Sequence, residues 1–182
     1  MNKLMQFLSQ KRCIVLLILL FLINSAFLFI PSFPLSSARI TENAPDERIP
    51  DMRVIYSVDD IYNFLEKIGE RGRQLYRFMH LTSDLAFPFI YGLLFFGILS
   101  RFVLILKLPR LRYAPLLPWV ATFFDLAENL TLNYITSRFP EKLPVLTWTA
   151  QFFSLGKFTF LLASILAITF LGLRIIFLKR QK

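Results

Sequence analysis

One cysteine and one histidine are all that 182 residues supply of the side chains that build disulfides, zinc fingers, and thiol or imidazole catalysis. Cys13 alone closes off an internal disulfide framework and any thiolate metal cluster. His80 alone would leave a zinc ion dependent on carboxylates for its other ligands, so no metal site is expected. No phosphate-cradling loop and no nucleophile paired with a base can be found, and no cofactor is expected. Acid is also scarce, with 12 Asp and Glu against 21 Lys and Arg and a net charge of +9. That surplus suggests nucleic acid in a soluble chain, but here the basic residues flank apolar runs instead of clustering on a polar face. Nucleic acid is therefore not expected as a partner.

Apolar surface is what the chain has in abundance: 55% of residues are hydrophobic and 16% aromatic, with a mean hydropathy of +0.56. This is too apolar for an ordinary soluble domain and too short for several domains, so residues 1–182 read as one membrane unit. Runs at about 13–30, 81–106, 114–135 and 146–173 are each long enough to cross a hydrocarbon core of roughly 30 Å at about 1.5 Å per residue. The first run follows Lys3, Lys11 and Arg12, and Ser36 with Ala38 make a small-residue cleavage site. The run exceeds a usual signal core, and a retained span is expected.

Residues 31–80 form the one long segment between apolar runs. Its first part, 31–56, is rich in Pro, Ser and charge and reads as an irregular connector. Ser57 with Asp60 three residues on marks a helix start, and Ile61, Phe64, Leu65 and Ile68 then share an apolar face. Gly69 suits a helix end, and Leu75, Tyr76 and Met79 mark a second short helix behind it. In the second apolar run, Pro88 lacks a backbone donor, so a kink is expected there.

Charge sets the expected orientation. With both termini and the 101–112 linker in the cytoplasm, eleven Lys and Arg lie inside with no acid among them, while 31–80 holds seven basic and eight acidic residues. The expected fold is all-α: an integral four-helix bundle in the cell membrane with a short extracytoplasmic amphipathic helical pair.

The third run, around WVATFFDLAENLTLNYI, carries Asp125, Glu128 and Asn129 at spacings of three and four, which puts them on one helical face at membrane depth. Lys157 is the one basic residue near the middle of another apolar run. Counting about 1.5 Å per residue puts Asp125 about 17 Å and Glu128 about 21 Å from the inner edge, and Lys157 about 15 Å from the outer edge. Those depths are within lysine reach, and an unpaired charge there costs about 2.5–3.5 kcal/mol on insertion scales, so Lys157 is expected to pair with one of the two acids. The remaining acid then needs a proton, water, or a bond from Asn129, Thr122, Gln151 or Ser154. Asp84 sits higher, where it either joins Glu128 or meets solvent. Asp84, Asp125, Glu128, Asn129 and Lys157 thus form the candidate intramembrane polar cluster, to be weighed against a clamp that merely fixes helix register.

The segments PDMRVIYS, LEKIGERGRQLY, DLAFPFIYG and FDLAEN, followed by Lys157, resemble a pattern shared by small four-span bacterial membrane proteins to which no activity is attached. The resemblance covers residues 50–160 and implies architecture only. More faintly, the layout is similar to four-span sterol isomerase folds, with the matching histidine missing. Three functions remain open: a small binding or accessory membrane protein, with the bilayer and a lipid-like ligand or another membrane protein as partners; a membrane enzyme acting on a lipid-like substrate through Asp125 or Glu128; and a proton-linked carrier working as an oligomer.

Overall fold

A computed structural model describes residues 2–180, and the chain is helical with no strand among the described residues. Lys182, counted above among the basic residues of the C-terminal end, lies outside the described residues. The helices are α1 (Asn2–Leu8), α2 (Lys11–Phe29), α3 (Ser37–Ile40), α4 (Val58–Lys67), α5 (Gly69–His80), α6 (Ser83–Ile105), α7 (Leu117–Arg138) and α8 (Pro144–Arg180).

Three stretches are long and apolar enough to cross a membrane: Lys11–Phe29, Gly69–Ile105 and Pro144–Arg180. The middle one is α5 and α6 in succession, separated by a turn at Leu81 and Thr82. At 22 residues α7 has the length, but its polar stripe keeps it less apolar than the others. The helices match the apolar runs to within a few residues, except that α8 continues to Arg180 instead of stopping near 173. No Pro or Gly interrupts residues 174–180, and Lys179 with Arg180 in the last turn suits the negative end of the helix dipole. The 31–56 connector is more ordered than its composition suggests, since it contains α3 and a 3-10 turn at Pro50–Met52.

The short amphipathic pair forms as its pattern requires. Ser57 caps α4 through a reciprocal box in which its side chain accepts from the Asp60 N–H while Asp60 accepts from the Ser57 N–H. Ile61, Phe64, Leu65 and Ile68 are all buried. Gly69 takes φ +68°, a left-handed conformation costly for any residue with a Cβ, and the chain reverses into α5 there. That pair closes over one end of α7 and α8, where Phe64, Ile68, Tyr76, Leu132, Ile135 and Ala150 share a core.

At the other end, Met5 and Leu8 of α1 and Leu17 of α2 pack on Leu94 and Phe96 of α6. α7 lies chiefly against α8, and α6 sits between α2 and α7. Much of α2 and α8 remains uncovered, with Val15, Leu16, Leu22 and Ile23 more than half exposed.

Candidate functional site

The carbonyl of Asp84 explains why the polar stripe of α7 is built as it is. In a helix that carbonyl should accept from the N–H four residues on, but residue 88 is proline and has none. α6 nonetheless runs through Pro88, and Asn129 Nδ2 on α7 donates to the Asp84 carbonyl at 3.2 Å instead. Thr122, two turns earlier on the same face of α7, donates to the carbonyl of Pro88 itself at 2.8 Å. Gly92 makes the approach possible, because a Cβ there would lie 2.5 Å from Thr122 Oγ1. Asn129 and Thr122 therefore stitch α6 to α7 and do not bond either α7 acid.

The acids take other partners. Lys157 Nζ lies 2.5 Å from Glu128 Oε2 and 3.6 Å from Asp125 Oδ1, so the lysine bridges both acids where one was expected. It also donates to the backbone carbonyl of Asp51 at 2.8 Å. An ammonium has three protons, and three oxygens surround this one. Glu128 is wholly buried and its other oxygen accepts from the Tyr56 hydroxyl at 3.0 Å. Asp125 accepts from the Tyr91 hydroxyl at 3.0 Å. Gln151 and Ser154, expected as partners for a spare acid, hold the connector instead: Gln151 Nε2 donates to the Val54 carbonyl at 3.0 Å and Ser154 to the Arg53 carbonyl at 3.1 Å. Gln151 Oε1 also accepts from the Tyr56 N–H. Gln151, Ser154 and Lys157 thus form a ladder of three side chains on α8 that grips three carbonyls of an irregular segment.

Asp84 is buried at 7% exposure and joins neither Glu128 nor solvent; it shares a hydrogen bond with His80 Nδ1 at 2.9 Å. His80 ends α5 and Asp84 begins α6, so they sit either side of the turn with helical i, i+4 spacing. That spacing was visible in the sequence, but a helix boundary set at residue 80 hides it. Tyr91 lies seven residues from Asp84, two turns along the same face, and was equally findable. Asp51 and Tyr56 come from the connector, where no periodicity points to an inward side chain.

Beside this cluster is a partly open cavity of about 380 Å³, lying between α2 and α8 with α6 behind it. Its walls are mostly apolar, Phe21, Phe87 and Leu161 among them, and Asp51, Asp84, Asp125 and Lys157 are its charged lining. Glu128 does not line it. The two α7 acids therefore have different situations: Glu128 is consumed in holding Lys157 and Tyr56, while Asp125 keeps a face toward open space. Comparison of the chain with family models, with curated proteins and with solved structures finds no match in any of the three.

Proposed function

We propose that this is a four-span membrane protein, with α2, α6, α7 and α8 as its spans and both termini cytoplasmic, that binds one amphipathic, lipid-like molecule between α2, α6 and α8. Three apolar stretches support membrane residence directly. The fourth span is α7, whose polar stripe is tolerable in hydrocarbon because α6, α8 and the connector cover it. The exposed apolar residues of α2 and α8 are then lipid-facing, which removes an otherwise large hydrophobic surface from water.

The observation that carries the ligand is the cavity. Small-molecule sites are concave and mostly apolar with a few convergent polar groups, and 380 Å³ of aromatic-lined space ending on Asp84, Asp125 and Lys157 has that form. A space between two lipid-facing helices admits an acyl chain sideways while its head group reaches the polar floor. Native mass spectrometry of the full chain released from mild detergent tests this. One retained lipid-sized adduct per chain is expected, and Leu161→Trp, which fills the cavity, should remove most of it. Equal adducts on both proteins, or none on the wild type, would overturn the reading.

A membrane enzyme acting on a lipid-like substrate is the second reading. It is favoured by Asp125, which both touches a tyrosine hydroxyl and faces the cavity beside Lys157 and would be the proton-transferring group.

A further inference from the structure

Asp51, His80 and Asp84 each bring one ligand-type atom into a group whose members all lie within 4.8 Å of one another. We propose that these three side chains hold a divalent first-row transition ion, of the Mn²⁺ or Zn²⁺ kind, at the end of the cavity. The site is additional to the lipid pocket and stands whether or not that pocket is filled.

Three independent features point to an ion. The first is the donor set, two carboxylates and an imidazole converging from three different elements: the 3-10 turn Pro50–Met52, the end of α5 and the start of α6. One nitrogen with two oxygens suits borderline divalent ions and leaves further coordination positions open. Asp51 and Asp84 both line the cavity, so those positions face it.

The second feature is an unpartnered ring nitrogen. His80 is 1% exposed, yet only its Nδ1 has a partner, and its Nε2 is buried with none. A buried ring nitrogen left alone is costly; with the Nδ1 proton given to Asp84 the Nε2 lone pair is free, and ligation of an ion through Nε2 resolves it. The surroundings already restrain the ligands as outer partners of a metal site do. The Tyr76 hydroxyl donates to Asp51 Oδ1 at 3.2 Å, and the Tyr76 ring packs on the imidazole with centroids 4.3 Å apart. Lys157 fixes the Asp51 backbone from α8.

The third feature is charge. Four carboxylates gather here, Asp51, Asp84, Asp125 and Glu128, against Lys157 and at most one positive histidine. Lys157 is already committed to Asp125 and Glu128. Asp51 and Asp84 are left sharing His80, so even a protonated ring leaves one negative charge over in a poorly solvated place. A divalent ion balances two carboxylates around a neutral imidazole.

The test exploits the single histidine. The full chain, purified in detergent without a histidine tag and stripped with EDTA, is titrated with MnCl2 and with ZnCl2, and bound metal is counted by plasma mass spectrometry after desalting. One ion per chain is expected. Asp51→Asn and Asp84→Asn should each weaken binding more than tenfold, whereas Asp59→Asn, an equal charge change at an exposed position, should leave it unchanged. Protein labelled with ¹⁵N-histidine and loaded with Mn²⁺ gives a second readout that needs no variant: a pulsed-EPR coupling to histidine nitrogen can come only from His80. Substoichiometric metal on the folded wild type, or bound Mn²⁺ without that nitrogen coupling, would overturn the proposal.

Discussion

Lys157 is the residue whose removal has the clearest consequence. It is 5% exposed and bridges two carboxylates, so Lys157→Met leaves Glu128 and Asp125 with no cation between them. Breaking a buried pair by removing one partner typically costs about 3–5 kcal/mol, and a comparable loss is expected here. Because Glu128 is the nearer acid, Glu128→Gln should recover more of that loss than Asp125→Asn. A double-mutant cycle on thermal stability in detergent reads both couplings, and equal or absent coupling would refute the geometry. The lysine–acid pairing was legible in the sequence for a simple reason: a charge in an apolar run must find an opposite charge, and few were on offer. Asp51 and Tyr56 were not legible as cluster members, because their positions depend on how a non-periodic connector is threaded. Spacing rules have no purchase on either.

Pro88 and Asn129 lie one scale up, since their relation belongs to the joint between α6 and α7. If Asn129 is present to satisfy the carbonyl that Pro88 orphans, Asn129→Leu should cost about 1–3 kcal/mol in the native protein. It should cost much less once Pro88→Ala has restored the donor within α6. Thermal midpoints of the four proteins decide the matter, and additive losses would mean that Asn129 acts some other way. The start of α4 offers a pH test. The Ser57 hydroxyl and N–H both donate to the Asp60 carboxylate and hold it below its ordinary range. Asp60 thus contributes stability that is complete above the unfolded carboxyl value of about 3.9 and disappears as pH falls through the lower folded value. The difference in midpoint between wild type and Asp60→Asn should be present at neutral pH and vanish in acid. Ser57→Ala should cost about 1 kcal/mol at neutral pH. The α4–α5 break itself was readable from Ser57 and Gly69, because both act through local backbone geometry.

For the whole molecule, the orientation read from charge makes a separate prediction. With Cys13 replaced and single cysteines placed at 107 or 110, a membrane-impermeant thiol reagent should label neither in intact cells and both after permeabilisation. The α8 ladder has a consequence of another kind. Gln151, Ser154 and Lys157 grip the carbonyls of residues 54, 53 and 51, and carbonyls are the same whatever side chain follows them. Val54 and Ile55, both largely exposed, are therefore free to drift in composition while the path of the segment is preserved. What the segment cannot change is its length: deleting one residue between 52 and 55 would break the register between the Asp51 rung and Tyr56 and withdraw Tyr56 from Glu128. A saturation library across 51–56 should accordingly accept most replacements at 54 and 55, reject the single deletions, and set an inheritance rule for this stretch in which spacing is selected and lettering is not.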